Sequence, residues 1–458
     1  MAPCIGRRVV LFPLPYQGHL TPMLRLAAAL HAGGLAVTVL HTELLAPDPA
    51  DHPSDYRFVR VPGSWLVTAL NALFAAPFKD ALLAEGEGVR CVVTDVVWYS
   101  AQAAARELGL PALGLMTSSA ASFRTFMAYP ALLDKGYLPV QESLKHAPVP
   151  ELPPFRVMDL QRIDTSSLAD FARMVDHIVA GARQSSGLIL NTFDVAEIRE
   201  KLEPVPVFAV GPLNKLSPPS TAKSTASLDA QAPGSVLFVS LGTVAAIDER
   251  EFAELALGVA GSGRPFLWVV RPSPVRGGCD ELPAALEEEI QRGRGRVVPW
   301  APQEEMLAHP AVGAFLTHSG WNSTAEAVSQ GVPMICRPCF GDQFGTARYV
   351  CEVWRVETRL QRWDVQAAVE KLMNDADEGK EVRQRMKDLK QKTDKSIEEC
   401  GASHTALMGL LDLIILMNNE EGKEVTQRMK DLKEKNDKCV SGSSHAALIG
   451  FLDLILSF

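Results

Sequence analysis

Short apolar runs alternate with helical stretches along this chain, and that alternation constrains the fold more than any other feature. RVVLF (8–12), AVTVLH (36–41), VRCVVTD (89–95), PALGLM (111–116), GLILNTF (187–193) and PVFAVG (206–211) have strand length and strand composition. Between the first two, TPMLRLAAALHAGG (21–34) carries helix punctuation: Thr21 is the expected N-cap, Pro22 lies in the first turn, and Gly33 and Gly34 end it. Strands joined through helices build a parallel sheet covered by helices.

Residues 213–234, rich in Pro, Ser, Thr and Ala without periodicity, read as a linker. The alternation then resumes with SVLFVSLGT, RPFLWVVRP, GRVVPWAP, AVGAFLTHSG and GVPMICRP. We therefore expect an α/β domain over 1–212, the linker, a second α/β domain over 235–377 and a helical tail over 378–458. The tail repeats itself. EGKEVRQRMKDLKQKTDK (378–395) recurs at 421–438, and SHTALMGLLDLI (403–414) recurs at 444–455 with few changes. Val382, Met386 and Leu389 share one helical face, so each copy reads as a helix pair.

The chain has 458 residues and a formal net charge of −9, which gives no electrostatic footprint for nucleic acid. No apolar run approaches the roughly 20 residues of a membrane helix. The run TALMGLLDLIILM (405–417) is shorter and contains Asp412. The opening segment reads as a first strand, because Pro13 and Pro15 interrupt the apolar core of any signal peptide. Eight cysteines without an export signal point to free thiols in the cytosol, and Cys336 and Cys339 lack a second ligand pair for zinc.

In open parallel sheets, ligands bind beyond the carboxyl ends of the strands. The unusual residues fall there. His19 follows the first strand, Asp95 ends VRCVVTD, Thr117 follows PALGLM, Thr243 follows SVLFVSLG and Trp300 follows GRVVP. His318, Trp321, Asn322 and Ser323 follow AVGAFLT, and Asp342 and Gln343 follow GVPMICRP after a short loop. In THSGWNSTAE (317–326), Ser319 and Gly320 permit a tight turn, and Asn322 or Ser323 can cap the next helix. Such a helix start is a ready anion site.

The stretch WAPQEEMLAHPAVGAFLTHSGWNSTAEAVSQGVPMICRPCFGDQ, from Trp300 to Gln343, resembles the signature box of plant UDP-dependent glycosyltransferases. The resemblance extends from about Val9 to Arg355. It implies a GT-B fold: two Rossmann-like domains with parallel sheets facing a cleft, and a last helix that packs back on the N-terminal domain. It also implies roles. Trp300 stacks on the uracil, with Ala301 and Gln303 beside it, and Glu326 accepts hydrogen bonds from the ribose. His318, Asn322, Ser323 and Thr243 hold the phosphates. Trp321, Asp342, Gln343 and Thr117 face the sugar, and the glutamine closing the box goes with glucose. LPYQGHL and VVTDV imply His19 as general base and Asp95 as its orienting carboxylate. UDP-glucose and a small acceptor are then the substrates, and a cytoplasmic monomer without a metal is expected. Asp375 and Asp377 match a metal-binding D-x-D in letters only, far from any strand end.

VVLFPLPYQGHLTPML, AYPALLDKGYLPVQES, ELPP and GPLNKLS are most similar to grass enzymes that glucosylate benzoxazinoid hydroxamic acids (DIMBOA, DIBOA). The open alternatives are flavonoid, cytokinin or terpenoid acceptors, and a copy that binds UDP-sugar with little turnover. The last is suggested by a 61–74 stretch shorter than the family pattern and by the doubled tail. A nicotinamide oxidoreductase would need G-x-G-x-x-G after a strand, and a hydrolase a G-x-S-x-G elbow. Neither occurs.

Overall fold

Most of the apolar runs become buried strands, whereas GRVV (295–298) lies at a sheet edge with Arg296 exposed. The computed structural model describes residues 8–62, 70–162, 167–192, 196–216, 228–243, 247–271, 282–359, 364–374 and 377–417. The middle of the linker, half of the short 61–74 stretch (63–69), Asp375 and the second copy of the tail repeat lie outside the described residues. Two compact units form: the described residues of Met1–Phe126, Ala172–Pro218 and Lys395–Phe458, and those of Met127–Phe171 and Pro219–Asp394. Residues 127–171 precede the linker in sequence yet pack with the second unit.

The first half runs β1 (Arg8–Phe12), α1 (Gln17–Ala32), β2 (Ala36–His41), β3 (Arg57–Arg60), α2 (Leu70–Glu85), β4 (Val89–Asp95), α3 (Tyr99–Glu107), β5 (Ala112–Met116), α4 (Ala120–Asp134), α5 (Leu168–Arg183), β6 (Gly187–Leu190), α6 (Ala196–Leu202) and β7 (Val207–Ala209). The second runs β8 (Val236–Ser240), α7 (Glu249–Gly261), β9 (Phe266–Val269), α8 (Ala284–Gln291), β10 (Gly295–Val298), α9 (Gln303–Ala308), β11 (Val312–Thr317), α10 (Trp321–Gln330), β12 (Met334–Cys336), α11 (Gln343–Tyr349), β13 (Glu357–Arg359), α12 (Val365–Met373), α13 (Asp377–Ile397) and α14 (Ala402–Leu416).

Every pairing between these strands is parallel, in the orders β3-β2-β1-β4-β5-β6-β7 and β10-β9-β8-β11-β12-β13. Each sheet therefore reverses its winding once, at β1/β4 and at β8/β11. Those are the switch points where a parallel sheet opens a crevice at its carboxyl edge. Two strands escape the sequence reading, β3 (RFVR) and β13 (ETR). Both are short, charged edge strands, and an edge needs no apolar alternation.

The start of α1 differs from expectation. α1 begins at Gln17 with Tyr16 as N-cap, so Thr21 lies inside the helix and accepts from Gln17 Nε2 at 2.8 Å. The shift places His19 in the first turn of α1. The first copy of the tail repeat forms α13 and α14. Leu407, Leu410, Leu411 and Ile414 of α14 join Met23, Leu26 and Leu30 of α1 in the core of the first unit, and Ser403 donates to the Gly211 carbonyl. None of the five described cysteines is in a disulfide. No helix among the described residues is long and apolar enough to cross a membrane.

Replacing Leu411 by alanine should destabilise the protein by about 2–5 kcal/mol, the usual range for truncating a core leucine. Urea denaturation of wild type and variant measures it. An unchanged midpoint would mean that α14 is not part of the first unit's core.

Candidate active site

In the first unit, three strands adjacent in the sheet each deliver one polar group at the carboxyl edge. His19 follows β1, Asp95 ends β4 and Thr117 follows β5. His19 Nδ1 lies 2.6 Å from Asp95 Oδ2, with the carboxylate fully buried and the imidazole 29% exposed. The other carboxylate oxygen accepts the Val97 N–H at 2.9 Å, which fixes the carboxylate plane. Thr117 Oγ1 stands 2.9 Å from His19 Nδ1 and donates to Asp95 Oδ2 at 3.2 Å. A carboxylate is acceptor-only, so Nδ1 carries the proton and Nε2 the lone pair. This arrangement can take a proton from a hydroxyl and spread the resulting charge onto Asp95.

In the second unit, the polar turn after β11 meets the turn after β8. Thr317 pairs in register with Ser240, and the His318 ring packs between Gly242 and Gly320. A Cβ at Gly242 would lie 2.6 Å from that ring, and one at Gly320 2.4 Å. The tight turn is carried by Ser319, at φ 64°, while Gly320 is the N-cap at φ −63°. Gly320 is therefore needed for room, and Ser319 holds the strained backbone. No side chain caps α10. Asn322 and Ser323 sit inside its first turn instead of capping it. His318 Nδ1 and Ser319 Oγ are buried without a hydrogen-bond partner among the described residues, which suits a site completed by a ligand. Burial, with a smaller contribution from the Arg271 charge, pushes the His318 pKa down to about 4. At neutral pH the ring is an uncharged donor.

Around this turn, Trp300 is 69% exposed, more than any other large hydrophobic side chain among the described residues. Gln303 opens α9 and ties it to α10, donating to Ser323 Oγ at 2.9 Å and to Glu326 Oε2 at 2.7 Å. Ala301 is partly exposed and Thr243 exposed beside them. The Trp321 side chain is buried, with its ring 6.1 Å from that of Trp354. Asp342 is the N-cap residue of α11. Gln343 is buried and its Oε1 accepts the Cys339 and Phe340 N–H groups at 2.8 and 3.0 Å. Its amide NH2 is the end that can act on a ligand. Among the described residues, no group of three or more His, Cys, Asp and Glu side chains is arranged to ligate a metal ion.

Residues 187–395 match the family profile described as UDP-glucoronosyl and UDP-glucosyl transferase. Two curated maize proteins are similar over most of their length. The DIMBOA UDP-glucosyltransferase BX8 is 51% identical over 92% of this chain and 100% of its own, and BX9 is 52% identical over 89% and 97%. Among solved structures, a Polygonum tinctorium UDP-glucosyltransferase capable of glucosylating indoxyl superposes with TM-score 0.77 at 27% identity, covering 89% of this chain and 98% of the other. Os79 from O. sativa, in complex with UDP, gives 0.72 at 25% identity, covering 89% and 100%.

The chain belongs to the UDP-glycosyltransferase family. Its fold is the expected GT-B class, and it is a glycosyltransferase.

The sequence reading of this glycosyltransferase missed two features. Arg271 lines a small cavity with Leu241, Gly242 and Trp268, and supplies positive charge near His318. The arginine closing the run FLWVVRP, just past a strand end, was a usable signal. The second is a buried ion pair. Arg348 Nε donates to Asp159 Oδ2 at 2.7 Å, with both side chains almost wholly enclosed. Nearby, Gly341 N–H donates to the Arg162 carbonyl and the Arg162 guanidinium lies 4.6 Å from the Phe344 ring centre. Residues 155–162 thus brace the loop that carries Asp342 and Gln343. No sequence signal links positions 189 residues apart.

The buried His318 makes stability depend on pH. The folded protein keeps the ring neutral down to about 4, whereas an unfolded chain takes up the proton near 6.5. Stability is therefore full above about 6.5 and falls as pH drops toward 4. Urea midpoints across that range, compared with His318→Gln, should show a steeper loss in the wild type. Parallel curves would exclude a neutral buried ring.

Proposed function

We propose that this protein is an inverting glucosyltransferase that moves glucose from UDP-glucose to a hydroxyl of a small plant metabolite, with a benzoxazinoid hydroxamic acid the favoured acceptor. The observation that carries the chemistry is the 2.6 Å contact between His19 Nδ1 and Asp95 Oδ2. Half-identity to two maize DIMBOA glucosyltransferases supports the acceptor class.

His19 Nε2 takes the acceptor proton as the acceptor oxygen attacks the anomeric carbon. The bond from that carbon to the diphosphate oxygen breaks, and UDP leaves with the electron pair. Attack opposite the leaving group converts the α-linked donor into a β-glucoside. Asp95 stabilises the imidazolium. The first domain, with His19 and Asp95, handles the acceptor, and the second holds the donor. The start of α10, with His318, Asn322, Ser323 and Thr243, takes the phosphates without a metal ion. Trp300 stacks on uracil, Ala301 and Gln303 border it, and Glu326 accepts from the ribose. Asp342 and Gln343 hydrogen-bond the glucose, with Trp321 framing them from its buried seat. The enzyme works as a monomer in the cytosol, a reading supported by its free thiols and acidic balance.

The test is a mass-spectrometric transfer assay with UDP-glucose and a panel of benzoxazinoids, flavonols, cytokinins and terpenoid alcohols. A hexose adduct on the benzoxazinoid is expected. His19→Ala should lower transfer by at least ~100-fold, the scale of general-base catalysis, with UDP-glucose affinity by calorimetry nearly unchanged. Loss of donor affinity in that variant would remove His19 from the role of base. Donor binding without transfer to any acceptor would make the wild type a binding copy. Gln343→His should move sugar preference from glucose toward galactose in the same assay.

A further inference from the structure

The turn between β4 and α3, which carries Asp95, is held by a side chain from another helix. We propose that Asn71 is a positioning residue: from α2 it fixes this turn, and so sets the carboxylate against which His19 works. The inference rests on the reading of His19 as the base and Asp95 as its orienting carboxylate.

Asn71 Nδ2 donates to the Val97 carbonyl at 2.9 Å. Its Oδ1 accepts the Ser100 N–H at 3.0 Å and the Ser100 hydroxyl at 2.9 Å. An acceptor on one side of the amide and two donors on the other admit a single orientation. Ser100 lies in the first turn of α3, whose N-cap residue, Trp98, offers no capping side chain. Asn71 therefore satisfies, from 29 residues away, an N–H that a local cap would ordinarily take. Val97 is the link to the chemistry. Its N–H donates to Asp95 Oδ1 at 2.9 Å while its carbonyl accepts from Asn71, so both sides of one residue are held. That leaves Asp95 Oδ2 aimed at His19 Nδ1, 2.6 Å away. α2 is itself seated by Phe74 and Phe78, which follow Asn71 along one helix face. The Phe74 ring lies 5.4 Å from that of Trp98, and the Phe78 ring 5.0 Å from that of Phe12. Trp98 Nε1 also donates to the Pro13 carbonyl at 3.0 Å, in the loop before His19. The stack of Trp98 on Phe12, 4.9 Å between centres, holds that contact without Asn71. The effect of Asn71 on the base thus runs through Val97 and Asp95.

The experiment is a double-mutant cycle read on kcat. Asn71→Ala should lower kcat roughly tenfold by letting the carboxylate drift, with KM for UDP-glucose within about twofold of wild type. In an Asp95→Ala background, whose residual rate is read at high enzyme concentration, Asn71→Ala should cost nothing more, because the carboxylate it positions is gone. A role in stability alone, or a contact with the acceptor, would lower the rate by the same factor in both backgrounds, and that outcome overturns the proposal. So would an unchanged kcat in Asn71→Ala with Asp95 present. Asn71→Asp serves where the alanine variant fails to fold. It keeps the acceptor for the start of α3 and loses the donor to Val97, so it should melt within about 2 °C of wild type yet show the same fall in kcat. Wild-type kcat in Asn71→Asp would make Asn71 a cap and nothing else, and the proposal would fall. Full transfer in His19→Ala or Asp95→Ala would instead overturn the reading of the base and its carboxylate, a result separate from these.

Discussion

Parallel pairing is the constraint on which the rest of this structure depends. A parallel strand must return through a crossover helix, so both faces of each sheet are covered and the central strands are mostly apolar, with polar residues gathered toward their carboxyl ends. β5 and β8 have no exposed position at all. Polar chemistry is thus driven out of the strands and into the loops at their ends. The crossovers put all strand carboxyl ends on one edge. Where the winding reverses, at β1/β4 and β8/β11, neighbouring loops diverge and leave room. His19 and Asp95 stand at the first reversal, Gly242, Thr243 and His318 at the second.

The proposed donor half offers a diphosphate dipoles more than charge. α10 starts without a side-chain cap, and the buried His318 is kept uncharged. A neutral ring in a dry setting loses less on desolvation than an imidazolium, and it can still donate to a phosphate oxygen. Arg271 supplies net positive charge close by. Its field also helps to keep His318 neutral, so the cation and the ring are coupled. Two glycines flank the imidazole because any side chain there would displace it.

Precision at the proposed sugar end comes from a segment far away in sequence. Asp159 and Arg348 form an ion pair with almost no exposure, and breaking such a pair leaves a buried charge uncompensated, at a cost of about 3–5 kcal/mol. The pair fixes α11, whose first residue is Gln343. Two backbone N–H groups hold the Gln343 carbonyl oxygen, so its amide direction is set before any ligand binds.

The sequence by itself determined the two parallel sheets, almost every central strand, the first helix pair of the tail, and the set of residues at the strand ends. Each follows from a local rule: apolar runs of strand length, helix punctuation and a long family pattern. It did not determine where α1 begins, because Thr21 and Pro22 form a plausible helix start and only packing moves that start back to Gln17. It missed β3 and β13, whose charges suit an edge and disguise a strand. Tertiary structure alone decided that Thr117 closes a triangle with His19 and Asp95, that Trp321 turns inward, that Gly320 caps α10 in place of Asn322 or Ser323, and that residues 127–171 belong with the second unit. Those outcomes depend on groups brought together from distant positions, and no local pattern in a chain records which distant partner will fill a given space.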